Sequence, residues 1–212
     1  MMESLTVDVI SDVICPWCFI GKRRLEKALA AHGEPVNVHW HLFQLNPTMP
    51  KEGICRKEYR TRKFGSWERS LALDAKVIAV GESEGIHFAF DKTERIPNTV
   101  DAHRLIWLAG QNGCQDAVVE ALFRAYFTEG QDIGNRETLI DVASEGGLDR
   151  QAAEAMLNSD YGMDVISNAK ELSQRHEVTG VPFFIINQKI TFSGAQEPET
   201  FLEAFKEATV HL

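Results

Sequence analysis

Cys15-Pro16-Trp17-Cys18 is the stretch of this sequence best equipped for chemistry. Two thiols separated by two residues can close a disulfide ring, open it by exchange, or supply half of a zinc site. Their setting favours exchange. Leu5 to Ile14, LTVDVISDVI, is rich in β-branched residues and reads as a strand running into a loop. Beyond the pair, Leu25, Leu29 and the group Ala28, Ala30 and Ala31 continue an apolar helical face to Gly33, a natural stop. Cys15 therefore falls at a helix N-cap, Pro16 at the first helical position, and Trp17 and Cys18 just after it. First-turn amides have no intrahelical acceptor and the helix dipole is positive there, so an anionic, reactive sulfur at Cys15 is favoured. Cys18, one turn deeper, can reach that sulfur and is expected to be the better protected thiol. Zinc would need two more ligands at short spacing, whereas Cys55 and Cys114 stand alone. Burial of the pair as small hydrophobes is the plain structural alternative.

The rest of the chain bounds what such a pair could serve. Its 212 residues are 44% hydrophobic and 25% charged, the composition of a globular protein that needs no disulfide staples for its core. Lys+Arg 22 against Asp+Glu 31 gives a net charge of −9, which repels phosphate backbones and anionic lipid. Nucleic acid and membrane are therefore not expected partners. No apolar run approaches the length of a spanning helix, and MMESLTVDVISDV lacks the basic, apolar and small-residue zones of a secretory leader. A cytoplasmic setting is expected.

Pattern reading supplies the elements that must hold the pair. Val36, Val38, Trp40 and Leu42 share one face of a second strand, so residues 5–46 form a βαβ unit with a parallel strand pair. Asn46 to Gly53 breaks the pattern, and the period then changes to that of helices: Arg69–Val80, Asn98–Leu108, Gln115–Phe127, Arg136–Ser144 and Asp149–Leu157. Ile86 to Phe90, IHFAF, alternates and reads as a short strand. A helix over Met163–Glu177 is followed by two short strands, Phe183–Ile186 and Lys189–Phe192, around an Asn187-Gln188 turn. Pro198 opens a last helix with Phe201, Leu202, Phe205 and Ala208 on one face. The expected architecture is α/β, βαβ plus ββα in one sheet (1–46 and 161–212), with an inserted helical subdomain (47–160).

Gly180-Val181-Pro182 precedes the third strand, where a proline fits because it has no amide to donate. By itself this X–Pro step is an ordinary trans turn. The order of CPWC after the first strand, a hydrophobic–Pro step before the third and a helical insertion between them resembles the thioredoxin superfamily in its DsbA-like branch. Within that branch SDVICPWCFIGKRRLEKAL, PNTVDAHRL, TGVPFFIIN and SGAQEPETF resemble the FrnE-like group. The resemblance implies a thioredoxin fold, with Cys15 as attacking thiolate and Cys18 as resolving thiol. It implies a cis Pro182 opposite the CPWC turn, Val181 binding an extended peptide through its backbone, and Pro16 and Trp17 tuning redox poise. Asn98, Thr99 and His103 match the group's NTxxAH segment near the active-site face; read locally, Asn98 or Thr99 caps a helix and His103 is a satisfied first-turn residue.

Other residues read as structural. Lys22, Arg23 and Arg24 are expected on a solvated charged face, Asp12 in the turn before Cys15, and Trp40, Phe43 and Trp107 in the core. The leading function is a thiol–disulfide oxidoreductase acting on a protein or small-molecule thiol or disulfide. It would hold no tightly bound cofactor and could use glutathione as redox partner. The alternative within the same fold family is a glutathione-dependent isomerase or transferase of the 2-hydroxychromene-2-carboxylate isomerase or kappa type, although those relatives generally carry serine where Cys15 stands. A non-catalytic peptide-binding module is a third reading. Homodimerisation is left open.

Overall fold

A computed structural model describes residues 5–210. Its main sheet has the order β2-β1-β5-β6, built from Leu5–Ser11 (β1), Val36–Leu42 (β2), Phe183–Ile186 (β5) and Ile190–Ser193 (β6). β1 runs parallel to β2, with Val9 opposite Trp40, and antiparallel to β5, with Val9 opposite Phe184. The expected βαβ and ββα pieces thus meet along β1. That strand is central, and Val7, Val9 and Ile10 are almost fully buried. The hairpin between β5 and β6 turns on Asn187 and Gln188 at φ 45° and 58°, the left-handed values a two-residue turn demands. The Asn187 side chain also accepts the Thr6 amide at 2.8 Å, fastening the turn to β1.

Helix α1 (Pro16–His32) lies on this sheet and meets α9 (Pro198–Val210). It begins at Cys15 and ends at Gly33, whose φ of 76° and amide bond to the Leu29 carbonyl close the last turn. Phe184, Phe192 and Phe201 pack edge to face between the hairpin and α9. On its other side, Phe19 of α1 stacks on Phe123 at 5.1 Å. Phe123 belongs to α5 (Gln115–Phe127), which therefore clamps α1 from the helical block.

That block consists of α2 (Arg56–Phe64), α3 (Trp67–Ser83), α4 (Val100–Gln111), α5, α6 (Arg136–Glu145) and α7 (Arg150–Leu157). A further helix, α8 (Met163–Arg175), packs on α4 and β2. Two features depart from the pattern reading. Arg56–Phe64 is a helix that periodicity missed, because its buried member is Arg56 rather than an aliphatic residue. The small strands β3 (Ile54–Cys55) and β4 (Arg95–Ile96) flank it, and Ile86 to Phe90 is not a strand. Ile86, Phe88 and Phe90 are buried around exposed His87, so the stretch keeps the alternation that the sequence shows. It lacks a neighbouring strand. Ala89 bonds the Phe127 carbonyl at the end of α5, and the Phe88 and Phe90 rings pack against Phe127.

The solvated face expected for Lys22, Arg23 and Arg24 is also overturned. Lys22 is only 2% exposed, and its ammonium reaches Asp116 Oδ2 at 3.1 Å, Glu120 Oε2 at 3.3 Å and the Glu26 carboxylate. Arg23 shares Glu26 and Glu120, while Arg24 is buried between Glu84 and Glu197. Helix α1 is enclosed on several sides, so its cations serve as ionic ties to α5, α3 and the segment before α9. Acidic partners far along the chain made this invisible locally.

Candidate active site

Helix α1 presents the dithiol as its sequence dictates. Cys15 is the N-cap, in extended conformation, and Pro16 takes the first helical position. Cys15 is 5% exposed and Cys18 1%, and both are free thiols. Trp17 between them is 39% exposed, so an indole edges the mouth of the site. The N-cap itself differs from expectation. The Cys15 side chain makes no capping bond, and its carbonyl accepts the Cys18 amide at 3.0 Å. The Cys15 thiol instead donates across the site to the Val181 carbonyl at 3.5 Å.

The Val181–Pro182 peptide bond is cis, as the resemblance implied. Pro182 lies against Gly21, where an added Cβ would stand 3.1 Å from Pro182 Cγ and 3.2 Å from Phe184 Cζ. The absence of a side chain at Gly21 thus lets the proline loop approach α1 just behind the dithiol. Cys18 lies near Cys15. Burial pushes the Cys18 thiol up, the adjoining Cys15 sulfur adds to that, and bonds from the Ser11 hydroxyl and the Asp12 amide oppose it.

Beneath the loop from β1 to α1 sits a polar pair. The Asp12 backbone carbonyl accepts the Cys15 amide at 3.0 Å, which is the expected turn. Its side chain does something else. Oδ2 accepts the Leu45 amide at 2.8 Å and Oδ1 meets His103 Nε2 at 3.2 Å, with Asp12 fully buried and His103 2% exposed. His103 Nδ1 has no protein partner among the described residues. Asn98 and Thr99 start α4. Asn98 Oδ1 accepts the Val100 amide at 2.9 Å and its Nδ2 donates to the Met49 carbonyl, whereas the Thr99 side chain makes no capping bond. Of the three NTxxAH residues, His103 is the one joined directly to the CPWC-bearing loop.

A cleft of about 660 Å³ opens between the end of β2 and α8, lined by Phe43, Pro47, Ile166, Glu177 and Val178. Its Thr179 wall is two residues from Val181. A second hollow of about 320 Å³ shares Leu42 and Ala169 with it and reaches Trp107 and His103. Trp40 is core, as expected, while Phe43 and Trp107 are half-buried and line these hollows. A separate hollow of about 730 Å³ lies among Cys55, Trp67, Leu71, Phe88 and Arg95, and no CPWC residue lines it. Cys55 is exposed and Cys114 half-buried. Among the described residues, no group of three or more His, Cys, Asp or Glu could hold a metal ion, and no helix is long and apolar enough to cross a membrane.

Comparison with known proteins agrees with this architecture. A probable DsbA oxidoreductase from Streptomyces coelicolor is 32% identical with a TM-score of 0.89, covering 96% of this chain and 89% of that one. YwbO of Bacillus subtilis (strain 168), described as uncharacterized, is 28% identical over 95% of this chain and 96% of its own length. The cytosolic disulfide reductase DsbM of Pseudomonas aeruginosa, solved with GSH, shares the fold at 20% identity and a TM-score of 0.67, covering 98% of this chain and 100% of that one. A match to the DSBA-like thioredoxin domain spans residues 6–206, from β1 into α9. The buried dithiol at the head of α1 and the cis proline across from it are thus features of a chain that belongs to the DSBA-like thioredoxin domain family.

Proposed function

We propose that the protein is a thiol–disulfide oxidoreductase in which Cys15 attacks and Cys18 resolves. The observation that carries the reading is the disposition of the two thiols. Cys15 sits at the open end of α1 facing the Val181 carbonyl, and Cys18 lies behind it within reach. In the reducing direction, the Cys15 thiolate attacks one sulfur of a substrate disulfide, and the other sulfur leaves with the bonding electrons. Cys18 then attacks Cys15, releasing the second substrate thiolate and leaving the CPWC pair as the disulfide. An extended substrate would lie along Val181 by backbone pairing, with Trp17 and the cleft at Phe43 and Val178 receiving its apolar side chains.

The partner is a protein or small-molecule thiol or disulfide. Glutathione is the natural candidate for regenerating the pair, a reading supported by the fold shared with a cytosolic reductase solved with GSH. In this scheme Asn98 contributes structurally, holding the Met49 loop and the start of α4, and Thr99 contributes through its backbone carbonyl, which accepts the His103 amide at 3.0 Å. The decisive assay is insulin reduction with dithiothreitol, alongside mass analysis of trapped adducts. Activity lost in Cys15→Ser, and a covalent Cys15–substrate adduct in Cys18→Ser, are expected. Glutathione conjugation or isomerase activity that survives Cys18→Ser, with no insulin reduction, would overturn the proposal in favour of the glutathione-dependent reading.

A further inference from the structure

The hollow of about 730 Å³ at α2 and α3 lies apart from the dithiol and is lined in part by a buried ion cluster. Arg56, at the head of α2, is 5% exposed and pairs with Asp74 of α3, and Arg60 pairs with the same carboxylate. Two guanidinium groups thus share one carboxylate, which leaves the cluster one positive charge in excess. Burial lowers the Arg60 guanidinium, Asp74 raises it and Arg56 lowers it further, as an under-compensated pair of cations requires. Burying a charge without its counterion is costly, so an anion supplied from outside would be stabilising. Arg56 also has donors to spare. Its bond from Nη2 to Asp74 is its one hydrogen bond among the described residues, so Nε and Nη1 are left for the hollow that the side chain lines.

The remaining lining fits an anion with a flat apolar body. Arg56 Cζ stands 5.5 Å from the Trp67 ring centre and 5.3 Å from that of Phe90, and Phe90 stacks on Phe88 at 5.0 Å. Leu71, an exposed leucine, and Ile78 extend these walls. Lys57 rests over the Trp67 ring at 6.0 Å, and the Arg95 guanidinium donates to the Glu52 and Gly53 carbonyls. The Cys55 side chain makes no capping bond at the head of α2, so the positive end of that helix adds to the field there. Against these stand Asp91 and Glu94, which also line the hollow, are exposed, and among the described residues form no ion pair with Arg56, Lys57 or Arg95. We propose that this hollow binds an aryl carboxylate, its ring held among Trp67, Leu71 and Phe90 and its carboxylate accepting from the free edge of Arg56. A carboxylate matches the guanidinium fork in plane and charge, and a ring matches aromatic walls. No CPWC residue lines the hollow, so the proposal is independent of the exchange reading.

The probe is 2-naphthoate, titrated calorimetrically into the full chain, with 2-naphthamide as the uncharged analogue of the same ring. Saturable binding of one 2-naphthoate per chain is expected, with 2-naphthamide weaker by at least about tenfold, the effect of losing a charge-assisted bond. Arg56→Met should bring the two probes to one affinity by weakening 2-naphthoate alone. Leu71→Glu sets a carboxylate in the lining at an exposed position, and at an unchanged melting temperature it should weaken 2-naphthoate by at least about tenfold. It decides the matter if Arg56→Met does not fold. Saturating 2-naphthoate should also slow alkylation of Cys55 by iodoacetamide, followed by peptide mass analysis, while Cys114 reacts at its free rate. Equal affinity for the two probes in the parent overturns the proposal, and so does an unprotected Cys55. Parental affinity for 2-naphthoate in Leu71→Glu overturns it as well, by placing the anion in another hollow such as the cleft at Phe43. The absence of saturable binding at millimolar concentrations has the same consequence.

Discussion

Replacing Lys22 with methionine tests whether the buried cation of α1 holds the CPWC helix to α5. The ammonium lies 3.1 Å from Asp116 and 3.3 Å from Glu120, besides its bond to Glu26. At an effective dielectric of about 20, each of those two approaches is a gross attraction of about 5 kcal/mol. Two effects reduce it. Desolvating the ammonium costs several kcal/mol, and Asp116 and Glu120 are 59% and 31% exposed, so water screens them. Methionine keeps the aliphatic volume but leaves Glu26 and Glu120 with Arg23 as their shared cation, and Asp116 with the Trp40 indole N–H. A net loss of about 2 kcal/mol is expected, between the surface-pair and buried-pair ranges. For a chain of this size that lowers Tm by about 4–8 °C. In urea, the midpoint should fall while the slope stays unchanged. The Lys22 ammonium is pulled down by burial but raised overall by Asp116, Glu26 and Glu120. Its contribution is therefore complete below the ordinary lysine value and fades as pH rises through the higher folded value. An unchanged or higher midpoint in Lys22→Met, or a destabilisation that persists at strongly alkaline pH, would refute the reasoning.

Asn98→Ala removes the Val100 cap and the Met49 tie, so stability should fall by about 1–2 kcal/mol while insulin reduction stays unchanged. Slower insulin reduction at full stability would return Asn98 to the site. Gly21→Val pushes into Pro182 and Phe184, and about 1–3 kcal/mol of destabilisation with slower insulin reduction is expected; parental activity would show that the proline loop need not sit close to α1. Acid titration probes the second ionic tie. Burial raises the Glu84 carboxyl, but Lys27 and Arg24 outweigh it and hold it below the usual range. Its stabilisation is present above the ordinary glutamate value and lost as pH falls through the depressed one, so Glu84→Gln should flatten that part of the stability–pH curve. An identical acid limb would discount the tie.

Sequence alone determined what short-range rules govern. The strand, turn and helix around Cys15 and Cys18 follow from β-branched residues, a proline at the first helical position and Gly33 at the stop. The Asn187-Gln188 hairpin and the helices over Gln115–Phe127 and Arg150–Leu157 follow in the same way. Tertiary structure decided whatever depends on partners distant along the chain. Local charge suggested a wet face for Lys22 and Arg24, yet their carboxylates come from Asp116, Glu120, Glu84 and Glu197. Alternation at Ile86 to Phe90 was real, but a strand needs a neighbour and Phe127 offered one carbonyl. Asp12 and His103 are 91 residues apart and carry no joint signature, because a buried acid–base pair is defined by the packing of α4 beneath the β1–α1 loop.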